Sequence, residues 1–169
     1  MVGIAILPDS RIVRATINDV YTLADLHLEL NQEMAAHSVF CPEELLEWRT
    51  VEHLIRHNLG AEGFLVWLAR THQEGDGVGF VSAALDRAPM PTARLITGTI
   101  LNLYVKPASR RSGVGSALFQ TARTAMTAAG ARAIELSYLN GNERAARFWS
   151  AQGFVPESTK AVLPLSGPR

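Results

Sequence analysis

The sequence has little of several features that mark special classes of protein. It contains one cysteine, Cys41, so the chain cannot form an internal disulfide framework and fits a reducing compartment. No apolar run reaches the roughly 18 residues of a membrane-spanning helix. The N-terminus carries no basic stretch followed by an apolar core, which is the signature of a secretory signal peptide. We therefore expect a cytoplasmic protein with no membrane partner.

The chain also lacks an excess of charge of either sign. Its 16 basic and 16 acidic residues give a formal net charge of +0, so we expect no nucleic-acid partner. Its 169 residues, 47% of them hydrophobic and 19% charged, suit one globular domain over residues 1–169. Because the overall balance is ordinary, the partner must be recognised by local groups of residues.

The most informative stretch is a strand that leads through a basic, glycine-bearing turn into a helix. Residues 100–105 alternate in the way that a strand requires, and Pro107 ends that strand. From Val114 onward the apolar residues recur every three or four positions, which predicts a helix. Gly130 is the expected end of that helix.

The turn between the strand and the helix has the chemistry of a diphosphate-binding loop. Gly113 and Gly115 lack Cβ atoms, so backbone N–H groups can approach a ligand closely. These N–H groups are also the unpaired donors of the first helical turn, where the helix dipole favours an anion. Arg110 and Arg111 add guanidinium groups suited to phosphate oxygens. The alternative interpretation is a basic loop in which the glycines only relieve a tight turn.

Two common nucleotide loops are excluded, and a third pattern fits. No Lys-Ser or Lys-Thr pair follows the glycines, and Leu118 stands where the dinucleotide fingerprint needs its third glycine. The run Arg110-Arg111-Ser112-Gly113-Val114-Gly115 instead resembles the coenzyme A loop of the GNAT N-acetyltransferase superfamily. Residues 142–154 are similar to that family's Asn-x-x-Ala, aromatic pair and closing Gly-Phe. The two matches occur in the right order along the chain.

The resemblance implies an α/β fold with a mixed, mostly antiparallel sheet, two splayed parallel strands and helices on both faces. The parallel strands would be residues 99–105 and 133–137. Asn18 is expected to cap the first helix, and Pro42 to begin the second. The remaining strands are expected at residues 11–15, 64–70, 78–84, 154–155 and 160–165.

The resemblance further implies acetyl-coenzyme A as the cofactor, bound where the two parallel strands separate. Backbone groups of Leu103, Tyr104 and Val105 would pair with the pantetheine arm, and that of Leu103 would also polarise the thioester carbonyl. Asn142 and Phe148 would add further contacts, although Asn142 is equally typical of a plain helix cap. The diphosphate would lie on Arg110, Arg111, Ser112, Gly113, Val114, Gly115 and Ser116.

The catalytic groups are harder to assign, because the chain departs from the family pattern twice. Trp149 stands where many members carry a tyrosine acid, and Thr99 where histone-acetylating members carry a glutamate base. Tyr138, just beyond the second parallel strand, is the candidate substitute acid, with a packing role as the alternative. On the acceptor side, Glu33 could attract a cationic amine and His37 could act as a base. A solvated helix face and a hinge histidine are the alternative interpretations of those two residues.

The predicted function is transfer of acetyl from acetyl-coenzyme A directly to a primary amine of a small molecule or peptide. No covalent enzyme intermediate is needed, so Cys41 is not expected to be a nucleophile. No metal is expected, since His53 and His57 do not form a zinc-binding HExxH motif. An acyl-coenzyme-A-binding sensor with little turnover is the main alternative, and an interaction domain with a vestigial loop is another. The sequence leaves open whether the chain forms a homodimer.

Overall fold

The structure, a computed structural model, describes residues 10–38, 47–71, 76–87, 96–163 and 165. Its strands are β1 Ser10–Arg14, β2 Phe64–Thr71, β3 Gly77–Arg87, β4 Ile96–Val105 and β5 Ala131–Leu136. Its helices are α1 Val20–Ala35, α2 Trp48–Leu59, α3 Val114–Ala128 and α4 Glu143–Ala151. The strands form one sheet in the order β1-β2-β3-β4-β5. The pairs from β1 to β4 are antiparallel and β5 runs parallel to β4, which confirms the predicted mixed sheet.

The sheet separates two hydrophobic clusters, because successive strand residues point to opposite faces. The α1-side cluster joins α1 and α2 to the sheet, and the α3-side cluster joins α3 and α4 to the other face. The strand residues of the α1-side cluster are Val66, Leu68, Phe80 and Tyr104. Those of the α3-side cluster are Trp67, Ala69, Val78, Val81, Ala83, Ile100 and Val105. Helices therefore cover both faces, as predicted.

The first helix begins differently from the prediction. Asn18 does not cap it. Instead, the Thr16 side chain accepts a hydrogen bond from the Asn18 N–H, and the Asp19 carboxylate accepts one from the Thr16 N–H. This reciprocal capping box closes a short 3₁₀ turn that leads directly into α1.

The second helix begins later than the prediction from Pro42. Glu47 has extended backbone angles, φ −91° and ψ 122°, so the helical conformation begins only at Trp48. Residues 39–46, which include Pro42 and Cys41, lie outside the described residues. None of the helices in the described part of the chain is long and apolar enough to cross a membrane.

The two strands predicted at the C-terminal end are wrong where the structure describes them. Across residues 154–163 the chain forms no strand, and position 165 is a bend. Val155 and Leu163 are 82% and 81% exposed, so the apolar pattern of this segment covers no core. Phe154, the one aromatic residue among positions 154–163, packs against the α3-side cluster. Without a buried face, the alternating pattern alone does not stabilise a strand.

Candidate functional site

The parallel pair opens partway along β4. The last paired residues are Ile100 and Leu136, where β5 ends, whereas β4 continues to Val105. A bulge lies at the same level. Ser82 pairs with Asn102 and Ala83 with Ile100, which leaves Leu101 without a partner on β3. The bulge breaks the alternation expected for residues 100–105 and adds local twist, and Leu101 is 44% exposed.

Backbone groups of β4 face the open edge beyond this point. The Lys106 N–H donates to the Val78 carbonyl at 2.8 Å, so the backbone groups of Lys106 point to β3. Every second residue of an antiparallel strand directs its N–H and C=O to the same neighbouring strand. Tyr104 therefore directs its N–H and C=O to β3, while Leu103 and Val105 direct theirs to the opposite edge. Of the sequence-predicted backbone contacts, the groups of Leu103 and the N–H of Val105 lie where a ligand could pair with them, and those of Tyr104 do not.

The loop after β4 ends in a helix N-terminus that no side chain caps among the described residues. Gly113 is the N-cap, with φ 87°, a left-handed conformation that glycine adopts without a steric cost. The first turn of α3 contains no acidic residue. A Cβ added to Gly115 would lie 3.5 Å from the Phe148 ring, so two predicted cofactor residues are close neighbours. Ser116 Oγ accepts a hydrogen bond from Gln152 and links the start of α3 to the end of α4.

Arg111 holds a strained backbone within this loop. Its φ is 60°, the one positive value for a non-glycine residue in the described chain. Such a conformation costs about 1–2 kcal/mol for a residue with a Cβ, and it concentrates at functional sites. The side chain is exposed and forms no ion pair with the described residues. Arg111 therefore combines a left-handed backbone with an exposed guanidinium group beside the N-terminus of α3.

Arg110 is engaged inside the protein. Its Nε donates to the Val105 carbonyl at 2.7 Å, and its terminal nitrogen pairs with a Glu33 carboxylate oxygen at 2.6 Å. The guanidinium carbon lies 5.6 Å from the centre of the Tyr104 ring. Arg144, on α4, binds the other oxygen of Glu33. Glu33, predicted as an acceptor contact, is thus held by two guanidinium groups, one from the loop after β4 and one from α4.

A second carboxylate of α1 completes this polar cluster. Glu29 accepts a hydrogen bond from the Tyr104 hydroxyl at 3.0 Å and lies 3.4 Å from the Lys106 ammonium group. Burial, and then the hydrogen bond to the Glu29 carboxylate, raise the pKa of Tyr104 above its ordinary value. The hydroxyl therefore stays protonated, and α1 is tied to the end of β4.

Two residues at the predicted site, Asn142 and Trp149, have structural roles in the α4 region. Asn142 Oδ1 accepts the Ala145 N–H at 3.0 Å and caps the helix, which leaves the amide NH₂ to donate elsewhere. Trp149 is buried, with its ring 5.5 Å from that of Phe119 and 5.4 Å from that of Phe154. The position of the usual tyrosine acid is thus occupied by a core residue.

The other two predicted catalytic candidates lie at element ends. Tyr138 follows β5 and is 41% exposed. His37 follows α1, is exposed, and donates its backbone N–H to the Met34 carbonyl. Neither side chain has a hydrogen-bond or ring partner among the described residues.

One polar pair was missed by the sequence reasoning. The Thr99 hydroxyl donates to Glu135 Oε1 at 3.3 Å, and the two residues are direct partners across the parallel β4–β5 pair. The predicted strands contained both residues. Their register, however, depends on the length of the α3 connection and on a ladder irregularity after Ile96, which no local pattern reveals.

The described chain thus has a mixed sheet whose parallel pair opens beside an uncapped helix N-terminus. The family model for the GNAT acetyltransferases matches residues 24–154. The chain belongs to the GNAT acetyltransferase family. No curated protein matches the chain in sequence.

Solved structures show the same fold at low sequence identity. A tetramutant of the BH1408 protein from Bacillus halodurans is 24% identical with a TM-score of 0.79, over 92% of this chain and 99% of that one. The aminoglycoside N-acetyltransferase AAC(6')-Iy in complex with CoA is 17% identical with a TM-score of 0.69, over 94% of both chains. The aminoglycoside acetyltransferase meta-AAC0020, from an uncultured soil metagenomic sample, is 20% identical in complex with sisomicin. Its TM-score is 0.68, over 93% of this chain and 95% of that one.

Proposed function

We propose that this chain is an acetyl-coenzyme-A-dependent N-acetyltransferase that transfers acetyl directly to a primary amine of a small molecule or peptide. One domain over residues 1–169 would carry the whole activity, and the cytoplasm is the proposed compartment. The family match supports acetyl transfer in general, and the folds shared with aminoglycoside acetyltransferases favour a small-molecule amine.

The observation that carries the proposal is the continuity between the open edge of β4 and the uncapped N-terminus of α3. Leu103 and Val105 offer backbone groups to the amides of a pantetheine arm, as an added strand would. The first-turn amides of Val114, Gly115 and Ser116 then offer donors to the diphosphate. A cofactor with a peptide-like arm and a diphosphate fits this order of groups.

The residues of this site would have different roles toward bound acetyl-coenzyme A. The Leu103 N–H would hydrogen-bond the thioester carbonyl and stabilise the negative charge that develops on its oxygen. Arg111 would add a cation to the diphosphate, and the Asn142 amide and the Phe148 ring would contact the arm. Coenzyme A supplies the acetyl group as an activated thioester. Because Trp149 is buried and carries no acidic group, the thiolate would leave without protonation by that residue.

We call the first-turn amides of Val114, Gly115 and Ser116, together with Arg111, the diphosphate cradle. Calorimetry with acetyl-coenzyme A tests this cradle directly. Wild-type protein should show saturable binding, and Gly115→Glu should weaken it at least about 100-fold, because a carboxylate beside the diphosphate is repelled. Gly115→Ala is the matched control, since its Cβ meets only ordinary contacts and it should bind like wild type. Gly113 suits this test less well because its φ of 87° would strain any replacement. Unchanged binding by Gly115→Glu would contradict the cradle.

Release of free thiol tests the chemistry. Wild-type protein, acetyl-coenzyme A and a panel of amines, including sisomicin, polyamines, amino acids and short peptides, should release thiol with at least one acceptor. Mass spectrometry should find that acceptor heavier by one acetyl group. Binding without thiol release across the panel would support the sensor interpretation instead, and no binding would support the vestigial loop.

A further inference from the structure

The β4–β5 pair presents a carboxylate on the face opposite to α3. Ile100 belongs to the α3-side cluster, and Ile134 and Leu136 pack against it. Thr99 and Glu135, which alternate with these residues, must therefore point to the other face. Glu135 is exposed, so none of the described elements covers its carboxylate. A molecule approaching the sheet from the α1 side would meet it.

The carboxylate lies at the level where the strands separate. Glu135 pairs with Thr99, one step before the last paired residues of the ladder, Ile100 and Leu136. The bulge at Leu101 follows immediately on β4. The proposed thioester contact, the Leu103 backbone, lies two residues further along the same strand. Glu135 is thus beside the start of the opening and on the face away from the diphosphate cradle.

The geometry also gives this carboxylate a defined orientation. The Thr99 hydroxyl donates to Oε1 at 3.3 Å, which directs the group across the β4–β5 boundary. No described residue hydrogen-bonds or forms an ion pair with Oε2, so that oxygen is available to accept a proton. In contrast, Glu29 and Glu33, the inward-facing carboxylates of α1, are already paired with tyrosine, lysine and arginine side chains.

We infer that Glu135 is the general base of the acetyl transfer and that Thr99 is its positioning residue, an inference that rests on the proposed function. The acceptor amine approaches from the α1 side and its nitrogen lone pair forms the new N–C bond with the acetyl carbonyl carbon. The C–S bond breaks, and its electron pair stays on sulfur as the thiolate. The surplus proton of the nitrogen passes to Glu135 Oε2. Solvent or the thiolate then takes that proton, which restores the carboxylate.

The inference is tested with wild-type protein and an acceptor identified in the amine panel. Glu135→Gln should lower kcat by about 100-fold or more, the usual size of a general-base effect, with acetyl-coenzyme A affinity by calorimetry unchanged. Calorimetry should also show weaker binding of the amine acceptor to the coenzyme A complex of Glu135→Gln, because the carboxylate that the amine nitrogen contacts is lost. Glu62→Gln, which neutralises an exposed carboxylate in the turn before β2, should match wild type in all three measurements.

Thr99 provides two sharper variants. Thr99→Val should lower kcat with little change in KM for acetyl-coenzyme A, and Thr99→Ser should restore it, because only the hydroxyl orients Glu135. The double variant Glu135→Gln with Thr99→Glu moves the carboxylate to the partner position on β4 and should recover part of the lost kcat.

The outcomes separate this inference from the proposed function. An active wild type with Glu135→Gln as active as Glu62→Gln would overturn the role of Glu135 alone. A wild type that binds acetyl-coenzyme A but acetylates none of the amines would overturn the proposed function, and the base assignment with it. Recovery of activity in the double variant would support the carboxylate as the group that acts.

Discussion

Arg110 shows how a side chain of the basic loop can be engaged by groups within the protein. The sequence places it beside Arg111, and both guanidinium groups suit a phosphate. In the structure Arg110 turns back to the Val105 carbonyl and to Glu33, while Arg111 remains exposed. Arg110 thus closes the loop over the end of β4, where the Val105 carbonyl would otherwise face the open edge. Arg111 is left as the exposed guanidinium group of the loop.

Because Arg110 is paired within the protein and Arg111 is exposed, we expect substitutions at the two positions to change the free energy of unfolding by different amounts. Arg110→Met should lower the free energy of unfolding by about 1–2 kcal/mol, because it removes charge-assisted hydrogen bonds at a partly buried site. Arg111→Met should leave stability within about 0.5 kcal/mol of wild type, since it breaks no ion pair with a described residue. Urea unfolding of the two variants measures both values.

A double-mutant cycle identifies the partner. Arg110→Met and Glu33→Gln should be non-additive by about 1 kcal/mol if the two side chains interact as the structure shows. Additive effects of the two changes, or equal stability of Arg110→Met and Arg111→Met, would contradict the anchoring role.

At the scale of elements, α1 is attached to the sheet by both apolar and polar groups. Its buried residues Leu23 and Leu26 join the α1-side cluster, and the His27 ring packs edge-on against Phe80 with 4.5 Å between ring centres. Burial lowers the pKa of His27 from its ordinary 6.5 to about 4, because the cluster cannot solvate an imidazolium ion. The histidine is therefore neutral in the folded protein under ordinary conditions.

This buried histidine makes stability depend on pH. As pH falls from about 6.5 toward 4, the unfolded chain binds a proton at His27 and the folded chain does not, so unfolding becomes more favourable. We expect His27 to account for a loss of about 2 kcal/mol across this range, less than full burial would give because the ring is only partly buried. Urea unfolding from pH 7 to 4 measures the loss.

Two variants isolate the contribution of His27. His27→Gln should flatten the stability profile in this pH window, because the titrating group is gone. His53→Gln, at an exposed position of α2, should keep the wild-type slope. If the two variants showed the same pH dependence, burial of His27 would not be the cause.

The elements that the sequence predicted well are those whose signals are local. The strand β4, the glycines of the loop and the period of α3 all lie within one short stretch, and each was found at its expected place, although the bulge at Leu101 interrupts the alternation within β4. The start of α2 was not, because the extended conformation of Glu47 has no signature in neighbouring residues. The segments predicted as C-terminal strands pair with no described strand, and their apolar side chains Val155 and Leu163 are exposed.

The site follows the same rule. The uncapped N-terminus of α3 could be predicted from the glycines alone, whereas three features required the fold. They are the bulge at Leu101, the engagement of Arg110 by Glu33 and the pairing of Thr99 with Glu135. Each joins residues from different elements, so its geometry depends on strand register and helix placement rather than on spacing along the chain.

For the whole molecule, the decisive feature is that β5 ends at Leu136 while β4 continues to Val105, which leaves an opening beside β4 in the described sheet. The cradle belongs to the α3 side, and the Thr99–Glu135 pair belongs to the α1 side. On the proposed function, the donor lies along the open edge from one side and the amine meets it from the other. The Glu33–Arg144 ion pair joins helices from both faces near this opening, so the site depends on the assembly of the complete sheet.

A ligand bound at that junction should stabilise the whole fold. At a concentration 100 times its Kd, acetyl-coenzyme A should add about 2.7 kcal/mol to the free energy of unfolding, since only the assembled site binds it. For a chain of this length we expect Tm to rise by about 5–10 °C. Thermal unfolding with and without acetyl-coenzyme A measures the rise.

The Gly115 variants and amide hydrogen exchange locate that stabilisation. Gly115→Ala should keep the rise in Tm and Gly115→Glu should lose it, because the Cβ of either replacement meets the same ordinary contacts but only the glutamate carboxylate repels a diphosphate. Exchange of the Leu103 and Val105 amides should slow on binding, whereas the Tyr104 amide, which faces β3, should already be protected. An equal rise in both variants, or slowing at Tyr104 alone, would mean that the ligand binds elsewhere than along the open edge of β4.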